Sequence, residues 1–255
     1  MVLLPGAKGK VEGGVGPAYG EVVTRDRGPL GAARREVLAA STAAAGGLEP
    51  AALARLTGVG ASRAEGQRAM LRGLARAPTL PAHQRYDGVV HANAGLAELD
   101  ADRVAAGSLG IEVLIVSALL GVVGLAEPVP AYRLELTGPL PPLGGLAAFW
   151  RPRVTPVLEQ RLQERRVWDL LPGEHARVWP VAARRAGQVV RVGFVRPDGR
   201  AANAARTKVA KGRLAAALIA DPTTTPAQLV GSSVLGEGWQ LTADGRDLRA
   251  TWTGG

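Results

Sequence analysis

The chain carries 27 arginines but only four lysines, and the lysines fall in two close pairs, Lys8 with Lys10 and Lys208 with Lys211. An ammonium is a compact, strongly hydrated charge whose pKa moves readily on burial, whereas a guanidinium stays charged and binds through a planar fork. Lysines kept at two spots in an arginine-rich chain point to places where an ammonium is needed. Both pairs are expected to face one site. Tyr132 and Arg133 follow a long apolar segment and are natural companions for them. Lys and Tyr act as acids or bases where burial shifts their pKa, and Arg holds a carboxylate or phosphate. Lys10, Tyr132, Arg133 and Lys208 are therefore the candidate catalytic set. The same residues serve equally as a phosphate-binding set without catalysis.

Other chemistries leave no mark. There is no cysteine, which excludes disulfides, thiolate metal sites and thiol catalysis. His83, His91 and His175 are scattered, without metal-ligand spacing, and read as structural histidines. No metal and no cofactor is expected. Ser117 stands in Val-Ser-Ala rather than a GxSxG elbow, and no kinase signature occurs. The glycine-rich stretch PGAKGKVEGGVGPAYG resembles a phosphate loop only loosely, because Lys10 is followed by Val11 rather than Ser or Thr.

These residues need a scaffold, and its centre is Ile111 to Leu136. Fourteen apolar or small residues, Val113 to Ala126, lie between Glu112 and Glu127. A membrane span needs about 20, so this is a strand buried on both faces. It breaks at Gly121 and Gly124 and delivers Tyr132 and Arg133 past Pro128–Pro130. Met1–Leu4 and Arg166–Leu170 read as further strands, and 188–196, bounded by Pro-Asp-Gly, as a strong one. Helices are expected over 30–46, over 146–165 despite Pro152 and Pro156, and from Asn203 to Ala220. The last carries Lys208, Lys211 and Arg213, with Lys208 and Lys211 three apart on one face. The tail alternates on both sides of Asp244-Gly245, a hairpin signal.

Residues 48–76 form a unit of their own. A helix from Pro50, the turn Gly58-Val59-Gly60 and a second helix to about Leu74 have the form of a helix-hairpin-helix. Such a hairpin grips a DNA strand through backbone amides at the second helix's start. Gly58 and Gly60 let the backbone come close, Ser62 and Arg63 stand at a cap and a phosphate contact, and Arg68 and Arg72 extend the basic face. A plain helical hairpin has the same pattern.

The net charge of +9 is uneven. Lys and Arg outnumber Asp and Glu by seven to three over residues 31–80 and by eleven to five over 181–255. Over 81–130 they are outnumbered by two to six. Basic surfaces favour polyanions such as DNA. With no secretory signal and no segment of membrane-spanning length, a cytoplasmic protein with no membrane partner is expected. Oligomeric state is not legible. With no repeat and no long linker, 1–255 reads as a single α/β domain: a central mixed sheet, surrounding helices, and the helix-hairpin-helix inserted at about 48–76.

The order of motifs resembles one family. An LLP strand with lysines just after it is followed by YDGVVH near 86–91, then VSALLGV, PAYRLEL, LAAFWRP, WDLLPGEHARVW and TKVAKGRLAAALI. This resembles the YaaA peroxide-stress family over nearly the whole chain. The resemblance implies a DNA-binding α/β domain with a helix-hairpin-helix and a basic cleft, linked to lowering intracellular iron and oxidative DNA damage. Carried across, the cleft takes in Lys10, Tyr132, Arg133, Lys208, Lys211 and Arg213, and the hairpin Gly58, Gly60 and Arg63, with Lys8 beside Lys10 a further phosphate-binding candidate. The chain departs from the family pattern at Pro5-Gly6-Ala7-Lys8, at Leu120, at Val123-Gly124-Leu125, at His91, where a tyrosine is usual, and at Thr207. Departures at the presumed site on a kept scaffold fit either a specialised paralogue or ordinary drift in a loosely constrained family. The expectations are thus two: non-specific DNA binding in the peroxide-stress response, or a biosynthetic or nucleotide-processing enzyme using the cleft on a small phosphate-bearing or nucleobase substrate.

Overall fold

The computed structural model describes residues 1–162, 165–179 and 188–254. In chain order the strands are β1 (Val2–Pro5), β2 (Gly16–Ala18), β3 (Pro78–Pro81), β4 (Val113–Ser117), β5 (Gly121–Gly124) and β6 (Pro128–Pro130). They continue as β7 (Pro139–Leu140), β8 (Gly144–Gly145), β9 (Val167–Asp169), β10 (Val189–Val195), β11 (Trp239–Asp244) and β12 (Asp247–Trp252). The helices are α1 (Tyr19–Arg25), α2 (Gly31–Gly47), α3 (Pro50–Thr57), α4 (Ala64–Gly73) and α5 (Ala82–Arg85). They end with α6 (Val89–Asn93), α7 (Ala101–Ala105), α8 (Leu146–Leu162), α9 (Ala204–Ala220) and α10 (Pro226–Leu229).

Seven strands form one mixed sheet in the order β11-β12-β10-β9-β1-β4-β5. The inner five, β12, β10, β9, β1 and β4, are parallel, and the two edge strands are antiparallel. Parallel strands are buried on both faces and read as continuous apolar runs. Accordingly Val2, Leu3 and Leu4 are fully buried, and so is every residue of Val113–Ser117. The expected single α/β domain with a central mixed sheet is what the chain forms. No helix among the described residues is long and apolar enough to cross a membrane.

Several local expectations are corrected. The chain does not simply break at Gly121: it turns back there and adds β5 antiparallel to β4. An edge strand leaves carbonyls without strand partners, and here Arg34 of α2 answers two of them. Its guanidinium donates to Leu120 O at 3.1 Å and Val122 O at 2.7 Å, and pairs with Asp26 and Glu127 at 2.9 and 2.8 Å. The glycine-rich stretch after β1 is not all loop, since it ends in β2 and α1. Pro152 and Pro156 both lie inside α8. The helix expected to reach residue 165 is described to Leu162, and 163–164 lie outside the described residues.

Helix α9 lies against α6, and Gly212 permits the approach. A Cβ there would come within 2.5 Å of Val90 O and of the Asn93 side chain. These two helices supply one wall of the cavity described below, so their spacing sets its width. Gly212→Ala is expected to lower stability by about 1–3 kcal/mol, the usual range for overpacking a tight interface. Gly66→Ala, at an exposed position in α4 with open space around it, should instead stabilise by about 0.5–1 kcal/mol. Urea unfolding of both variants measures the contrast.

Candidate functional site

The five parallel strands end along one edge of the sheet, the edge where open α/β sheets carry their ligands. A cavity of about 670 Å³ lies there, within the range of small-molecule sites. Its walls include the segment after β1, the end of β4, Tyr132 to Leu136, the turn after β9, Phe194 of β10 and the cavity-facing sides of α6 and α9. Segments more than 100 residues apart in sequence thus meet at one place.

Three of the four lysines line it: Lys8, Lys208 and Lys211. Lys8 pairs with Glu135 at 2.7 Å. Lys211 is buried, donates to Leu170 O at 2.7 Å, and lies 5.5 Å from the Phe194 ring centroid. Lys208 is exposed. Arg213 points elsewhere, with its guanidinium 3.4 Å from Leu235 O. It is two residues from Lys211 and so falls on a different helix face.

Lys10 sits behind the wall. Its backbone bridges to Tyr86, its Nζ donates to Ala7 O at 2.7 Å, and the ammonium rests 3.8 Å from the centroid of the Tyr132 ring. Burial lowers its pKa to about 7, with the charge of Arg133 adding to that and Glu135 opposing it. The Tyr132 hydroxyl is tied to Ser117 Oγ at 2.8 Å and to Tyr86 at 3.0 Å. Burial raises the pKa of both tyrosines, so they stand as neutral hydroxyls at physiological pH.

Arg133 is the least satisfied of the group. It lines the cavity, and its Nε is buried with no hydrogen-bond partner among the described residues. A buried donor without an acceptor is rare in native proteins and needs an explanation.

Sequence reasoning missed two residues. His91 and His175 both line the cavity. His91 is 3% exposed, neither of its ring nitrogens has a partner, and Tyr86 stacks on it at 5.4 Å. His175 Nδ1 is likewise unpartnered, with Glu174 at 3.6 Å. Burial first, then nearby charge, lowers both pKa values to about 4. No spacing links two histidines 84 residues apart, and only the fold joins them. His83 is not in the cavity lining; its Nδ1 lies 3.1 Å from Leu125 O, and its Nε2 is buried without a partner among the described residues.

The hairpin stands beside this cavity. Gly58 ends α3 in the left-handed region at φ +66°, and a Cβ there would overlap the Glu135 carboxylate. Gly60, Ser62 and Arg63 are exposed. Arg68 is turned inward instead, donating to Ala45 O at 3.1 Å and to Leu48 O. There it satisfies carbonyls at the C-terminus of α2, which have no partner within their own helix.

Two neutral histidines make stability acid-sensitive. Imidazoles titrate near 6.5 when unfolded and near 4 here, so between those values the unfolded chain binds more protons. Stability is fully present above about pH 6.5 and falls as the pH drops toward 4, by at most about 3 kcal/mol per ring. Urea unfolding should show lower stability at pH 5 than at pH 7, and a smaller difference in His91→Gln.

Comparison with known proteins agrees with the order of motifs. The family described as Peroxide stress protein YaaA matches residues 1–244. A UPF0246 protein of Streptomyces coelicolor is 32% identical over 235 residues, covering 90% of this chain and 87% of the relative. The scaffold strands, the cavity-lining lysines and these matches lead to one conclusion, that the chain belongs to the YaaA peroxide stress protein family.

Proposed function

We propose that this protein serves the peroxide-stress response by binding a small phosphate- or carboxylate-bearing ligand in the cavity at the strand ends. The observation that carries the reading is Arg133, a buried guanidinium nitrogen without a partner on the wall of a concave site. Lys8, Lys208 and Lys211 line the same cavity, and Lys10 adds positive charge from behind Tyr132. A mostly apolar wall with a few convergent polar groups suits a small ligand better than a long polymer. Acid–base chemistry on that ligand falls to His91 and His175, which reach the cavity, rather than to Tyr132, whose hydroxyl is already tied to Ser117 and Tyr86.

Inorganic phosphate and pyrophosphate should raise the melting temperature beyond the effect of sodium chloride at equal ionic strength. Arg133→Met should weaken that binding about tenfold or more, the weight of a charge-assisted hydrogen bond. A shift that is the same in chloride, or is unchanged by Arg133→Met, defeats this reading.

DNA binding is a second reading, favoured by the exposed Gly60, Ser62 and Arg63 at the entry to α4 and by the net charge of +9. It assigns phosphate contact to the hairpin turn, with Arg68 left to its structural role. Fluorescence anisotropy with a random-sequence duplex should then show affinity falling steeply with salt. Arg63→Glu should weaken binding for every sequence alike. Absence of binding at low salt removes this reading and leaves the cavity untouched.

A further inference from the structure

We propose that the cavity's ligand carries a neutral planar nitrogen heterocycle beside its anionic group, held edge-on by His91 and His175, which makes this a nucleotide-class site. The proposal rests on the anion-binding reading above and names the ligand's other half.

Four observations point to it. The cavity, at about 670 Å³, is far larger than an isolated oxyanion needs, and much of its wall is apolar, with Val116, Ala118, Leu134 and Val192. His91 is almost fully buried, and both its ring nitrogens lack partners; His175 adds a third unpartnered nitrogen. Both rings are held neutral by burial and neighbouring cations. A neutral imidazole offers one donor and one acceptor, the pattern that the edge of a nucleobase complements. Phe194 supplies a flat apolar wall, itself fixed edge-to-face by Trp239 at 5.4 Å and 88°.

The arrangement fits a cation poorly. No group of three or more His, Cys, Asp or Glu placed to hold a metal occurs among the described residues. Lys8, Arg133, Lys208 and Lys211 line the same space and would repel a metal ion. The histidines are left as hydrogen-bonding groups for an uncharged part of the ligand, while Arg133 takes the charged part.

Isothermal titration of the full chain with AMP, GMP, ribose 5-phosphate and inorganic phosphate tests this. At least one nucleotide should bind about tenfold or more tighter than ribose 5-phosphate, as hydrogen bonds from buried imidazoles predict. His91→Leu should bring that ratio close to one. His175→Leu provides the same readout if His91→Leu does not fold, as judged by circular dichroism. Equal affinity of the wild type for nucleotides and ribose 5-phosphate overturns the heterocycle and leaves anion binding standing. A nucleotide preference that survives both histidine variants also overturns it. Failure of all four phosphates to bind overturns both readings together.

Discussion

Beneath the cavity, Lys10 feels two guanidinium groups, Arg133 and Arg85, and one carboxylate, Glu135. This surplus of positive charge in a partly dry setting is the constraint around which the neighbourhood is built. Charge can be taken from water only where hydrogen bonds or opposite charges replace hydration. Arg85 makes four hydrogen bonds: it donates to Val129 O at 2.9 Å, Gly13 O at 2.7 Å, Pro78 O at 3.1 Å and Val11 O. Lys10 has one carbonyl and an aromatic face. Arg133 keeps a nitrogen without any acceptor among the described residues. The three therefore differ in kind: one organises structure, one is restrained, and one keeps a buried nitrogen unanswered among the described residues.

The structural role of Arg85 explains how a glycine-rich segment becomes a fixed wall. Residues 6–15 form no long regular element, yet the carbonyls of Val11 and Gly13 are drawn onto a guanidinium that also reaches the strands β3 and β6. Glycine is suited to such a path because its backbone can come close to its surroundings. Part of the segment is thus anchored by a buried side chain 72 residues away in sequence.

The scaffold was legible because it rests on local patterns. The apolar run at Val113 marks a strand with both faces covered, and Asp244-Gly245 marks a hairpin joining β11 to β12. The site was legible only in part. The scarcity of lysine drew attention to both pairs, of which Lys8, Lys208 and Lys211 line the cavity while Lys10 stops one layer short of it. Charge counting cannot tell a surface guanidinium from one drawn into the fold, and so it set Arg68 with Arg63. In the structure Arg68 holds the end of α2 while Arg63 stays in solvent. His91 and His175 carry no spacing signal at all, because only the fold brings α6 and the turn after β9 to one cavity. The family comparison marked His91 as a departure, which flagged the position without revealing its surroundings.

Glu135 links the two features that sequence reasoning kept apart. Its amide donates to Leu56 O at 2.8 Å near the end of α3, and its carboxylate lies against Gly58 and pairs with Lys8 at 2.7 Å. The hairpin turn is therefore seated on a residue of the cavity wall. An anion arriving beside Arg133 would compete with Glu135 for Lys8, because one ammonium cannot satisfy both fully. Any loosening of Glu135 would be felt first at Gly58, where no side chain stands between the carboxylate and the backbone. A ligand in the cavity and a partner on the exposed hairpin would thus be coupled, because the same carboxylate contacts Lys8 on the cavity wall and the backbone at Gly58.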